Sequence, residues 1–481
     1  MDTRRSHLMA AGALLLTTAV VGAAARGKGG TPGAQVPTNL RTTFAAPTTG
    51  PVSFTGTLDR TAVLRGHDGR VRIELVMAAA PDERAPSVRR PTDVVIILDR
   101  SGSMDGAKIE HARAAVRELL AQLGPQDRFA LVTYSDSATL TVPLSRVDDR
   151  ARSAWNDVIA GIQANGSTNM SSGLDLGIDV IERGRGRDTE RVPHVVLISD
   201  GLANQGDPSP EGLTHRARRA ALGEYMLSTV GVGTDFNEYL MTAIADAGTG
   251  NYYYLRDTEN LATVFAREFD AARATVAAGL AVQIEPAPGV QVLDAGGYPL
   301  EQTDNATVFR PGSLFARQER RIWVTLAAPQ YAVGEYDLGR FSLSYGDGGE
   351  RTTLQLSDVP RIACVDSEEQ YYSSVDVGAW GRSIVVDAYN KMQEEVARDV
   401  QAGRRDSALL LLQEFKDETA AMNARLPAPS ALVAQQLDDA KRLEADVSAA
   451  FVGKDQAQRQ NELSKSASAA ALDARRAGSK K

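Results

Sequence analysis

The stretch Val94–Met104, VVIILDRSGSM, changes abruptly from apolar to polar. Its first five residues, Val94–Leu98, are mostly β-branched, which is typical of a strand buried on both faces in the parallel sheet of an α/β domain. One carboxylate and two hydroxyls follow at alternate positions, on Asp99, Ser101 and Ser103. Because the carboxyl end of such a strand opens onto the ligand crevice, the stretch predicts both a fold and a binding site.

Strand-like and helix-like segments alternate from about Thr92 to Arg273, where a last helix is expected at Glu259–Arg273. Thr139–Val142, after a tight turn, is expected to add an antiparallel edge strand. The alternation predicts a doubly wound, mainly parallel sheet covered on both faces by helices. The expected parallel strands are Val94–Leu98, Phe129–Tyr134, Val195–Ser199 and Thr229–Val232.

The segments on either side of this α/β region predict a β-sandwich. Two strand-like runs, Val52–Leu58 and Val71–Met77, precede the region, and five more follow residue 276. Two isolated strands cannot bury a core. We therefore expect the early strands to join the later ones, so that the α/β domain is an insertion within one sandwich.

The two ends of the chain differ from its middle. Gly and Pro become scarce after Gly378, which predicts about three helices in a hairpin or bundle, with a partner-binding coiled coil as the alternative.

At the other end of the chain, Arg4 and Arg5 precede an apolar segment, Leu8–Val21, and small residues follow, as in a secretory signal. The paired arginines also resemble a twin-arginine signal.

These residues predict an exported protein that is periplasmic, on the cell surface or secreted. An uncleaved membrane anchor is the alternative, although the apolar segment falls short of the roughly 20 residues that span a bilayer. The predicted organisation is a signal peptide (1–25), a flexible linker (26–49), sandwich strands (50–91), the α/β domain (92–275), the rest of the sandwich (276–366), the helical hairpin or bundle (367–477) and a disordered tail (478–481).

Composition excludes several classes of partner and site. The hydrophobic share of 43% is that of an ordinary globular protein, and the net charge of −8 argues against nucleic acid as a partner. The single cysteine, Cys364, excludes an intramolecular disulfide and a cysteine-based zinc site. Cys364 lies in a strand-like run, where a buried structural thiol is expected.

Two more loops carry oxygen ligands like those of the first. Thr168 follows Asn165-Gly166-Ser167, and Asp200 follows the strand that ends at Ser199. Loops at the carboxyl ends of a doubly wound sheet converge where the strand order reverses. Asp99, Ser101, Ser103, Thr168 and Asp200 would form an all-oxygen set, which suits Mg²⁺, with Mn²⁺ or Ca²⁺ as alternatives. Neutral hydroxyls leave the charge of the ion available to a carboxylate from another molecule.

These five residues, in this order, resemble the metal-ion-dependent adhesion site of the von Willebrand factor type A domain. Asp99, Ser101 and Ser103 match its first loop, Thr168 its second and Asp200 its third. The resemblance implies that the hydroxyls are direct ligands, that the aspartates often act through water, and that the ion coordinates an acidic residue of a partner protein. The layout of strands, type A domain and further strands is similar to inter-alpha-trypsin inhibitor heavy chains and to related bacterial exported proteins.

An enzyme is not expected. The five histidines are scattered without paired spacing, and both the Gly-x-Ser-x-Gly elbow and the phosphate-binding loop are absent from the sequence. The sequence therefore favours an exported, metal-dependent adhesion or assembly module that binds a protein presenting Asp or Glu. The alternative is a structural scaffold of the cell envelope that makes contact through its C-terminal helices, with the metal mainly structural.

Overall fold

The computed structural model describes residues 42–47, 50–81, 91–185, 191–200, 203–232, 237–255, 275–347 and 350–477. The predicted signal peptide, the expected helix Glu259–Arg273 and the predicted disordered tail lie outside these residues. The described chain forms an α/β domain, two five-stranded antiparallel sheets, a small three-stranded sheet and a C-terminal helical region. Among the described helices, none combines the length and apolarity needed to cross a membrane.

The α/β domain is built on a six-stranded sheet in the order β10-β9-β8-β5-β6-β7. Neighbouring strands are parallel except β7, which pairs antiparallel with β6 as the predicted edge strand. The strand order reverses between β5 and β8, so the crevice lies at their carboxyl ends. The strands are β5 (Thr92–Asp99), β6 (Arg128–Tyr134), β7 (Ala138–Arg146), β8 (Val192–Ser199), β9 (Met226–Val232) and β10 (Thr249–Leu255).

Helices cover both faces of this sheet, as predicted. Every residue of β5 is buried, and its side chains divide between two cores. Val94, Ile96 and Leu98 pack with α1, whereas Val95 and Ile97 pack with α3, α4 and α5. This division explains why the strand is apolar throughout rather than alternating. The helices are α1 (Ala107–Gln122), α2 (Asp149–Ala160), α3 (Met170–Arg185), α4 (Pro210–Leu222) and α5 (Glu238–Ala247).

The first antiparallel sheet has the order β1-β2-β4-β15-β12 and joins strands from both sides of the α/β domain. Val71 pairs with Leu326 and Ile73 with Val324 in the β4–β15 ladder, which confirms the expected insertion. Its strands are β1 (Thr43–Ala45), β2 (Val52–Leu58), β4 (Arg70–Ala79), β12 (Gln291–Ala295) and β15 (Glu319–Ala327). Strand β1 lies within the segment that was predicted as linker, and Phe44 anchors it in the sandwich core.

The second antiparallel sheet has the order β13-β14-β11-β17-β18 and shares its core with the first. Strand β14, which lies between β13 and β11, was missed because Pro311-Gly312 interrupts the strand pattern, and the β11–β14 pairing shifts register there. The strands are β11 (Thr275–Pro286), β13 (Glu301–Gln302), β14 (Thr307–Phe315), β17 (Gly339–Asp347) and β18 (Glu350–Gln355). The small sheet joins β16 (Gly334–Tyr336), β19 (Ile362–Val365) and β3 (Ala62–Leu64), and it buries Cys364 as expected.

The C-terminal region is helical as predicted, but it has more helices than the three expected. Helix α11 was missed because its sequence is rich in Ala and Ser and has few large apolar residues to mark a stripe, yet it packs against α8. The helices are α6 (Glu368–Ser373), α7 (Val377–Ser383), a π-helical turn (Ile384–Ala388), α8 (Tyr389–Gln401), α9 (Arg405–Arg425), α10 (Ala431–Ala450) and α11 (Gln456–Ala477).

The α/β domain contacts the sandwich through the amino ends of its strands. Glu224, just before β9, forms an ion pair with Arg351 of β18. Thr249, at the start of β10, lies so close to Gly312 that a side chain there would approach the Thr249 carbonyl oxygen to 2.9 Å. The carboxyl ends of the parallel strands therefore lie at the opposite end of the domain from the sandwich.

Candidate metal centre

The predicted ligands lie at the carboxyl ends of the two strands that flank the reversal of strand order. Asp99 is the last residue of β5, and Asp200 directly follows β8. Ser101 and Ser103 belong to the short turn between β5 and α1, whereas Thr168 lies just before α3. Because β5 and β8 are neighbours, paired as far as Leu98 and Ile198, their loops open into the same crevice.

Asp99 organises the first loop from a fully buried position. Its Oδ1 accepts a hydrogen bond from the Ser101 backbone N–H at 2.8 Å. Its Oδ2 accepts from the Ser199 hydroxyl at 2.7 Å and from the Tyr134 hydroxyl at 3.2 Å. Burial raises the pKa of Asp99, and the hydrogen bonds from Ser101 and Ser199 oppose that rise. Both carboxylate oxygens thus contribute to holding the loop in place.

Ser101, Ser103 and Asp200 converge through their side chains. The two serine hydroxyls lie 3.2 Å apart, and the Ser103 hydroxyl donates to Asp200 Oδ1 at 2.8 Å. Asp200 is 1% exposed and Ser101 is buried as well, whereas Ser103 faces the outside. The structure therefore brings two oxygens from the first loop and one from the third to a single point at the surface.

Thr168 lies in a loop that is bonded to both of the others. The Gly102 N–H donates to the Gly166 carbonyl at 2.9 Å, which joins the second loop to the first. The Thr168 N–H donates to Asn204 Oδ1 at 2.9 Å, and the Asn204 N–H donates back to the Thr168 carbonyl at 3.1 Å. Thr168 is buried at the point where the second and third loops meet.

Gly166 permits this connection because of its backbone conformation. Its φ of +77° lies in the left-handed region, and a Cβ there would approach Asp136 Oδ2 to 2.8 Å. Asp136 instead accepts a hydrogen bond from the Ser167 N–H at 2.9 Å, and hydrogen bonds from Ser167 lower the pKa of the Asp136 carboxyl. The glycine therefore lets the second loop pass close to the turn between β6 and β7.

Several residues of the site were missed from the sequence. Tyr134 and Ser199 end β6 and β8, the two strands that flank β5, and they hold Asp99, while Asn204 holds Thr168. Lys108 forms an ion pair with Asp200 Oδ2, and its ammonium group also donates to the Ser103 carbonyl at 3.3 Å. The signal in the sequence was the position of Lys108, because a cation in the first turn of a helix opposes the helix dipole.

The donor set fits a hard divalent cation. Ligand bonds of about 2.0–2.1 Å place neighbouring oxygens of an octahedron about 2.9 Å apart. The separations of 3.2 Å between the serine hydroxyls and 2.8 Å between Ser103 and Asp200 bracket that value. Among the described residues no group of three or more His, Cys, Asp and Glu could hold a metal, so such a site would depend on hydroxyls together with two acids.

Comparisons with known proteins identify the α/β domain. The family model of the von Willebrand factor type A domain matches residues 93–267. The chain contains a von Willebrand factor type A domain. Domains of this family generally mediate protein–protein interaction, often with a divalent metal bound at an adhesion site.

Relatives include an uncharacterized Synechocystis protein, sll0103, which is 26% identical over 358 residues, covering 71% of this chain and 81% of that protein. Human inter-alpha-trypsin inhibitor heavy chain H4 is 32% identical over 165 residues, and the match covers 32% of this chain but only 17% of the human protein. A solved von Willebrand factor type A structure from Catenulispora acidiphila has a TM-score of 0.64 at 17% identity, covering 90% of this chain and 98% of that one. This structural likeness extends the agreement in fold well beyond the type A domain.

Proposed function

We propose that this protein is an exported binding module in which a divalent cation, Mg²⁺ or else Mn²⁺ or Ca²⁺, coordinates an acidic residue of a partner protein. We term the five predicted ligands, at the carboxyl ends of β5 and β8, the crest. The observation that supports the proposal is the convergence of Ser101, Ser103 and Asp200 there, with Ser103 exposed. The ion would supply an electrophilic docking point for a carboxylate oxygen. The type A domain supports a role in protein binding.

The residues of the site would have distinct roles in this proposal. Ser101, Ser103 and Thr168 would offer neutral hydroxyl oxygens, which hold a cation without cancelling its charge. Asp200 would offer Oδ1, the oxygen that already contacts Ser103. Asp99 would act mainly by orienting the first loop, because Ser101, Ser199 and Tyr134 donate to its two oxygens.

The position of the site supports docking of a large partner. The α/β domain contacts the sandwich at Glu224 and Thr249, at the amino ends of β9 and β10. The site lies at the carboxyl ends of β5 and β8, away from that contact. A partner protein could therefore reach it without displacing the sandwich. Export remains our proposal from the signal-like residues 1–25.

The second candidate function is a scaffold that makes contact through its C-terminal helices. The observation that favours it is a set of exposed apolar side chains, since Leu410 of α9 is 58% exposed and Leu432 of α10 is 50% exposed. Replacing both with glutamate should abolish partner binding if the helices make the contact. The same change should leave partner binding intact if the crest makes the contact.

The direct test of the first candidate is calorimetric titration of Mg²⁺ and Mn²⁺ into the full chain after EDTA treatment. We expect saturable uptake of one ion, and a loss of affinity of at least about 100-fold in the Ser101→Ala/Ser103→Ala double variant, because two ligands are removed. Ser137→Ala, at an exposed serine in the turn after β6, is the matched control and should bind as the parent does. Equal uptake by the parent and the double variant would exclude the site.

A proton-relaxation measurement tests whether the bound ion selects a carboxylate. With Mn²⁺ bound, the methyl protons of acetate should relax faster than those of acetamide, because only the carboxylate carries the charge that the ion attracts. The double variant should remove the difference between the two probes. Equal relaxation of acetate and acetamide in the parent protein would show that the site does not select a carboxylate.

A further inference from the structure

We propose that Lys108 is a built-in counter-ion that sets how strongly the site attracts the partner's carboxylate, an inference that rests on the proposed function. Lys108 is the second residue of α1, and its ammonium group is paired with Asp200 Oδ2. The other oxygen, Asp200 Oδ1, accepts from the Ser103 hydroxyl at 2.8 Å. The two oxygens of Asp200 are thus divided between a fixed cation and the hydroxyl set.

The location of Lys108 is unfavourable for its own helix. A positive charge in the first turn opposes the helix dipole, which favours acids there and cations in the last turn. The residue before α1, Gly106, supplies no side-chain cap, and the acid in the first turn of the helix is Glu110. The Lys108 side chain is 30% exposed, and its ammonium group pairs with Asp200, whose side chain is buried. The ion pair therefore joins Lys108 to an acid of the site and not to the acid of its own first turn.

Charge balance gives Lys108 its proposed role. The two buried acids of the site, Asp99 and Asp200, contribute two negative charges, and Lys108 adds one positive charge. With a divalent cation present, the group as a whole would carry a net charge of +1, whereas without Lys108 it would be neutral. A site of net charge +1 attracts a single carboxylate, and a neutral site does so much less.

This balance predicts opposite effects on the two binding steps. Removing the lysine charge should strengthen divalent-ion binding, because the ammonium group repels the incoming cation. The same change should weaken binding of the carboxylate that follows. Removal of a lysine that only held the loops together would lower both affinities, so opposite signs distinguish a counter-ion from a structural role.

The experiment compares Lys108→Met with Lys108→Arg in the full chain. Calorimetry measures Mn²⁺ affinity, and proton relaxation of acetate measures carboxylate binding to the Mn²⁺-saturated protein. We expect Lys108→Met to bind Mn²⁺ about 10-fold more tightly and acetate about 10-fold more weakly, from the loss of one nearby charge. Lys108→Arg, which keeps the charge, should stay close to the parent in both.

The outcomes separate this inference from the function on which it rests. If the parent protein takes up no Mn²⁺, the proposed function itself fails. If the parent binds Mn²⁺ but Lys108→Met loses affinity for both Mn²⁺ and acetate, Lys108 holds the loops and the counter-ion role is overturned. Unchanged affinities in Lys108→Met would overturn it too. Unfolding curves for all three proteins show whether the substitutions disturb the fold.

Discussion

Two of the regions in the described part of the chain bury acidic side chains and neutralise them differently. The crest, made up of Asp99, Ser101, Ser103, Thr168 and Asp200, surrounds its two acids with hydroxyls and backbone N–H groups, and one ammonium group contacts Asp200. The second region, which we term the junction network, lies between the first antiparallel sheet and the C-terminal helices. Its ion pairs join Asp59, Arg60, Arg72, Glu74, Asp294, Arg321, Arg382, Asp387 and Lys391.

The junction network has at least as many cations as acids. Arg382 and Arg321 contact Glu74 at 2.8 Å and 3.2 Å, and Lys391 contacts Asp387 at 2.7 Å. The acids of this network are therefore neutralised by cations of the same chain, and the ion pairs attach the helices to the sheet. The crest has one cation, Lys108, for two buried acids, and such an imbalance is expected where a further cation is to be bound. The contrast separates a structural cluster from a candidate functional one.

The largest effect is expected from Asp59→Asn in the junction network. The Asp59 side chain is fully buried, and its partners Arg60 and Arg72 are 8% and 13% exposed. The change should therefore leave a buried charge uncompensated and cost about 3–5 kcal/mol of unfolding free energy. Urea denaturation in EDTA measures this cost. The control Asp68→Asn, at a more exposed acid near Arg70, should cost less than about 1 kcal/mol.

Glu238 is a third kind of buried acid, and it sharpens the comparison. Burial raises its pKa to about 7, while a hydrogen bond from Tyr252 and the charge of Lys465 on α11 partly oppose the rise. Because the folded protein holds this proton more tightly than the unfolded chain does, the contribution of Glu238 to stability should be largest below about pH 4.5 and fall by about 2–4 kcal/mol as pH rises through 7.

Denaturation at several pH values tests this expectation with Glu238→Gln. The variant should remove most of the decline in unfolding free energy between pH 4.5 and 7, since the amide does not titrate. Global stability falls at acid pH for many other carboxylates, so the measured quantity is the difference between variant and parent at each pH. A difference that stays constant over this range would show that Glu238 keeps an ordinary pKa.

The smallest effect is expected from Asp200→Asn in the metal-free protein. The change removes the repulsion between Asp200 and Asp99 but also ends the ion pair with Lys108, whose ammonium group can turn to solvent. These effects oppose each other, so the unfolding free energy should change by no more than about 1 kcal/mol. A loss of about 3 kcal/mol or more would place Asp200 with the structural acids of the junction network.

The parts of the fold that the sequence predicted are those with strong local patterns. The apolar run Val94–Leu98 predicted the central strand, and the loops at the ends of β5 and β8 predicted where the site lies. Strand β14 and helix α11 were missed because a Pro-Gly pair and a sparse apolar stripe hide their periodicity. Their place in the fold is set by tertiary packing, which a local pattern does not encode.

The sequence predicted the acids and hydroxyls of the site, but it did not predict the residues that hold them in place. Asp99, Ser101, Ser103 and Asp200 are joined by hydrogen bonds, and Thr168 lies in the loop bonded to theirs, while metal ligation by all five remains our proposal. Tyr134 reaches the site from β6, which is distant in sequence from the first loop, so no local spacing marks it. Lys108 follows the first loop closely, but its partner Asp200 lies 92 residues further along the chain. The domain boundaries drawn from composition likewise remain proposals.

The most direct test of the central claim is a crystal of the full chain grown with Mn²⁺ and measured at the manganese absorption edge. The account predicts one anomalous peak at the crest, within about 2.0–2.3 Å of the Ser101 and Ser103 hydroxyl oxygens. A peak among the acids of the junction network instead, or a crest without manganese at concentrations that saturate uptake in solution, would contradict it.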